Sequence, residues 1–130
     1  MKVDSINKSN ISHKAYIKPN ELFRDLYAKS AKTKELRTLA ETFRNNLPKQ
    51  ELEILKCNNN MENYLIYDVK NNITQKVHRA FITKDKINKP RYGACELLAS
   101  LIRLNSTDFY RENTIQVTEA SDIFDIITKP

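Results

Sequence analysis

Glycine is nearly missing from this sequence, with one in 130 residues, and tryptophan is absent altogether. Loops that cradle phosphate need several glycines to bring backbone against the anion, so P-loop and dinucleotide-binding fingerprints are excluded. Cysteine is scarce as well. Cys57 and Cys95 lie far apart in a chain too large to need disulfide staples, which fits a reducing, cytoplasmic setting with both thiols passive. Neither stands at metal-ligand spacing from the other or from His13 or His78, so no metal and no cofactor is expected. No apolar run approaches the ~20 residues of a bilayer span, and residues 1–17 lack the apolar segment of an export signal. No membrane partner is expected.

What is present suits one ordinary core, with 40% hydrophobic and 29% charged residues. The first 14 residues mix Asn, Ser and Lys with isolated Val3, Ile6 and Ile11, and read as a flexible leader before a single domain over 15–130. The net charge of +6 is unevenly spread: residues 66–93 carry seven basic and two acidic side chains, whereas residues 106–130 carry two basic and five acidic. A basic middle thus precedes an acidic end.

Apolar spacing sets out an α+β fold of two N-terminal helices, a three-stranded antiparallel meander, a long amphipathic helix and a small C-terminal helix. Pro19 is placed at the first helical position, followed by the stripe Leu22, Phe23, Leu26 and Tyr27. Thr33 caps a second helix carrying Leu36, Leu39, Ala40, Phe43 and Leu47, which Pro48 terminates. A single bent helix over 19–46 is the alternative. Residues 51–57 read as a strand, and 64–69 and 73–83 as a hairpin about Asn71-Asn72. That turn sets Ile66 opposite Val77, Tyr67 opposite Lys76 and Tyr64 opposite Arg79, with Tyr64, Ile66, Val77 and Phe81 facing the core. After Pro90, Ala94, Leu97, Leu98, Leu101 and Ile102 form the most regular helical stripe in the chain. Shorter signals follow: a turn near Phe109, an extended stretch over 114–117, and a helical turn with Ile123, Phe124, Ile126 and Ile127.

The chemistry-bearing residues are few. Cys95 near a helix start, with His78 on an adjacent strand, is the one pairing that would suit a cysteine-dependent enzyme, yet no third group is in place to orient the imidazole. The pairs Glu51/Glu53 and Asp122/Asp125 are accounted for by a charged strand face and a helix N-terminus. The basic segment over 70–91 is interleaved with aromatic rings, as nucleic-acid binders are. Its expected open face, Tyr67, Lys76 and His78 continued by Lys84, Lys86 and Arg91, is the candidate site for nucleic acid or another polyanion. With no catalytic constellation visible, the expected role is a non-enzymatic binding or interaction protein acting on another macromolecule. A protein is the expected partner, with nucleic acid as the alternative.

Overall fold

A computed structural model describes residues 14–104 and 122–130. Most of the expected leader, the turn near Phe109 and the extended stretch over 114–117 lie outside the described residues. Among those described, four strands form one mixed sheet, β1 (Tyr16–Ile17), β2 (Glu51–Asn58), β3 (Tyr64–Asn71) and β4 (Val77–Thr83), ordered as in the chain. The helices are α1 (Glu21–Lys29), α2 (Lys34–Asn46), α3 (Gly93–Leu104) and α4 (Ile123–Thr128). The expected meander is β2–β3–β4, joined by antiparallel pairing, and β1 adds a short parallel strand that the sequence reading lacks. Two residues are too few to show a period of two.

The helical breaks follow from capping. Asn20, not Pro19, opens α1: its side-chain oxygen accepts from the Phe23 N–H at 3.0 Å while its amide nitrogen donates to the Ile54 carbonyl at 2.9 Å, so one residue caps the helix and ties it to β2. Thr33 caps α2 by accepting from the Leu36 N–H at 3.0 Å, and α2 ends just before Leu47 and Pro48. Between them Ser30 separates the two helices. Its hydroxyl donates to the Leu26 carbonyl at 2.8 Å and accepts from the Ala94 N–H at 2.9 Å, joining the end of α1 to the start of α3. The C-terminal helix is held to α2 by Arg44, whose guanidinium donates to the Ile126, Lys129 and Pro130 carbonyls.

The hairpin differs from expectation in its register. Asn71 uses its side-chain oxygen to accept from the Ile73 and Thr74 N–H groups, and Gln75 takes the positive φ of 68°. The chain therefore turns through a longer loop, and Ile66 pairs with Phe81, four residues beyond the expected Val77. An even shift keeps the same side chains together on a face. What is reversed is the face that is buried. Leu65, Tyr67, Val69, Ala80 and Ile82 line the core with Leu52 and Ile54 of β2, whereas Val77 and Phe81 are 55% and 53% exposed. The expected core set of Tyr64, Ile66, Val77 and Phe81 is the outer face. The reason is charge: Asp68, Lys70 and Arg79 share that face, and burying three ionised groups costs more than exposing two rings.

The described helices lie on the inner face, α1 packing on β2, α3 on β4 and α4 on β1, with α2 behind them. Gly93 marks the tightest approach. A Cβ at this position would lie 2.5 Å from Leu26 Cδ1, 3.1 Å from Pro90 and 3.3 Å from Ile82, and Leu26 is itself fully buried. Gly93→Ala is expected to destabilise by roughly 1–3 kcal/mol through overpacking. In a Leu26→Ala background the added cost should shrink, and urea midpoints of the double-mutant cycle measure that coupling. The reversed face has its own test. Ile82→Ala should cost roughly 2–5 kcal/mol, whereas Phe81→Ser should fall within about 1 kcal/mol of wild type; equal losses would mean the face is not open.

Candidate functional site

Six residues were expected to form one open surface, and the sheet distributes them differently. Tyr67 is 3% exposed in the core, where burial and a side-chain hydrogen bond with Cys57 push its phenol well above its ordinary value. His78 is half-buried beneath α3, its Nε2 3.1 Å from Ser100 Oγ. Lys76 is exposed at the hairpin end of β4, next to His78. Lys84 lies past the opposite end, with its ammonium donating to Asn59 Oδ1 and the Met61 carbonyl, both at 2.8 Å, so it closes the connection between β2 and β3. Lys86 and Arg91 are exposed in the following loop, where Arg91 stands 5.6 Å from the Tyr92 ring centre. Lys76 and His78 are brought together. The other cations are separated from them by the length of β4, about 20 Å for a strand of this size.

The outer face of the sheet holds Tyr64, Ile66, Val77 and Phe81, the set expected in the core. Tyr64 and Phe81 meet edge to face with centroids 6.2 Å apart, and Val77 and Leu55 are exposed on the same face, Leu55 by the ordinary alternation of β2, while the register shift after Ile54 brings Lys56 outward opposite Asp68. Its charges are balanced rather than basic. Arg79 pairs with Asp68 at 3.2 Å, Lys70 lies opposite Glu53 and Lys56 opposite Asp68. Glu51 accepts from the Tyr16 hydroxyl at 2.6 Å and, with Glu53, from the Asn72 amide. The first of these bonds, ahead of burial, pushes the Tyr16 phenol up to about 12, and together they hold the Glu51 carboxyl below its usual range. These two carboxylates brace the hairpin.

A second concave surface runs along the outer edge of β4. Arg79, Phe81 and Thr83 form one wall and Glu96, Ala99, Ser100 and Arg103 of α3 the other, enclosing about 410 Å³. Glu96 Oε1 accepts the Thr83 N–H at 2.7 Å and closes one end. At the hairpin end, a pocket of about 400 Å³ sets Leu52, Val69 and Leu101 beneath Lys76 and His78. Strand pairing could not be read as a groove from sequence, because the outward residues of β4 become a wall only when α3 overhangs them.

Thiol chemistry finds little support in the environment of Cys95. Burial pushes its thiol up, Glu35 and Glu96 add to that, and only the Thr33 hydroxyl, 4.0 Å from Sγ, works the other way. A thiolate nucleophile needs the opposite shift. The chain matches no family model, and comparison with curated proteins and with solved structures finds no relative.

His78 supplies a pH test. Burial, then the positive charge of Arg103, lowers its pKa from the ordinary 6.5, so below that value the unfolded chain binds more protons than the folded one. This contribution to stability is complete above pH 6.5 and is lost as pH falls through the folded value. His78→Gln should therefore flatten the decline in melting midpoint between about pH 7 and pH 5. Parallel curves for the two proteins would show that the imidazole titrates alike in both states.

Proposed function

We propose that this chain is a non-enzymatic binding module that acts on another macromolecule, and that the macromolecule is a protein. One observation carries the reading: Leu55, Tyr64, Val77 and Phe81 stay exposed on a single sheet face whose acidic and basic groups are matched. Exposed apolar area with interspersed charges of both signs suits a protein surface, which buries side chains and answers each charge locally. A phosphate backbone calls instead for a continuous field of one sign. The nucleic-acid alternative draws on Lys86, Lys89 and Arg91, which are exposed in the loop after β4.

A photo-crosslinking side chain in place of Leu55, in the native host, tests the assignment. The expected product is a discrete adduct that survives nuclease and disappears when Tyr64→Ser is added, with the unfolding free energy within about 1 kcal/mol of wild type. The same crosslinker at Lys29, on the outer side of α1, should give no such adduct. A nuclease-sensitive product would transfer the function to nucleic acid, and equal products from both positions would remove the face as the site.

A further inference from the structure

The outer edge of β4 carries backbone groups left without partners. The Asn71 N–H meets the Lys76 carbonyl at 2.9 Å and the Lys84 N–H meets the Asn63 carbonyl at 2.9 Å, which marks the hydrogen-bonded pairs of the hairpin. By the alternation of an antiparallel ladder, even-numbered residues of β4 turn their backbone toward β3 and odd-numbered ones turn outward. Thr83 follows this rule, its N–H being taken by Glu96. The outward N–H and C=O groups of Val77, Arg79 and Phe81 take no partner among the described residues.

We propose that the groove between β4 and α3 takes an extended acidic segment of another polypeptide, added to β4 as a fifth strand. Only a peptide backbone repeats donors and acceptors at the spacing this edge offers. The helix leaves room for it, because the residues facing the edge midway along the groove are small, Ala99 and Ser100. Glu96 and Arg103 stand about 10 Å apart along the helix, the rise of seven residues, and that distance matches about three residues of strand. Arg79 already has Asp68, whereas Arg103 is exposed and meets no carboxylate within ion-pair distance among the described residues. Glu96 is engaged with Thr83 at the other end. The acidic side chain of the incoming strand therefore belongs beside Arg103. The inference rests on the reading of this chain as a protein binder but uses another surface, with Ala99 and Arg103 in the groove and Leu55 and Tyr64 on the face.

The test uses the full chain, isotope-labelled, and a ten-residue peptide alternating valine and threonine with two glutamates near one end; a second peptide carries lysines instead. The glutamate peptide is expected to shift the amide signals of Val77, Arg79 and Phe81 and to slow their hydrogen exchange. Arg103→Glu should weaken it about tenfold, as loss and reversal of one charge contact would, and should reverse the preference toward the lysine peptide. Ala99→Leu keeps a good helix former at a partly exposed position, so it should fill the groove and abolish binding with the fold intact. Leu55→Glu should leave peptide binding unchanged, which separates failure of the groove from failure of the face. The proposal is overturned if these amides show no response up to about 1 mM peptide, where even a 4 kcal/mol interaction registers. It is equally overturned if the lysine peptide binds as well as the glutamate peptide, or if Ala99→Leu binds like wild type. Amides already protected in the free chain would show an edge that is paired beforehand, and a dimer dispersed by Ala99→Leu would assign it to a second copy.

Discussion

The junction where α1 stops and α3 starts governs where everything else in the molecule lies. Ser30 ends one helix by bonding the Leu26 carbonyl and begins the other by receiving the Ala94 N–H, so one terminal backbone group of each helix is satisfied by one buried hydroxyl. Gly93, next to it, has no side chain, and the start of α3 can sit against Leu26 and Ile82 at once. Helix α3 then runs back along β4 with Glu96, Ser100 and Arg103 placed successively over the strand. The groove, the shelter over His78 and the clamp on Thr83 are all products of that line.

Local signals in the sequence carried the helices well. Thr33, Pro48 and the Leu97 to Ile102 stripe act within a turn or two of themselves, so capping and periodicity suffice to find them. The sheet demanded a choice between two alternating sets that both contain apolar residues. Ring size favoured Tyr64, Ile66 and Phe81 as core; charge excluded them, since Asp68, Lys70 and Arg79 fall on the same alternation while Leu65, Tyr67, Val69, Ala80 and Ile82 carry none. That criterion was present in the sequence and is the better one. The hairpin register was less accessible, because Asn71 caps its own loop through its side chain and Gln75, not an asparagine, adopts the left-handed conformation.

The candidate site was less legible because charge counted along the chain does not translate into charge on a surface. The cations after Asn71 look like one patch in one dimension. Folded, Lys70 and Arg79 meet acidic neighbours across strands, Lys84 closes a connection, and Lys76 sits at the opposite end of β4 from Lys86 and Arg91. Arg103 belonged to a different segment, yet it is the exposed cation beside the edge that meets no carboxylate among the described residues. Pairing between distant residues decides such matters, and neither composition nor spacing encodes it directly.

Glu96 has a consequence for behaviour at high concentration. An unprotected sheet edge is a template on which identical chains stack without limit, and proteins that keep one open must prevent this. Here the carboxylate of Glu96 occupies the Thr83 N–H, which shortens the run available for stacking. Each copy would also bring Arg79 and Arg103 toward their own counterparts, placing like charges together. Stacking of identical edges is thus hindered by the same groups that shape the groove.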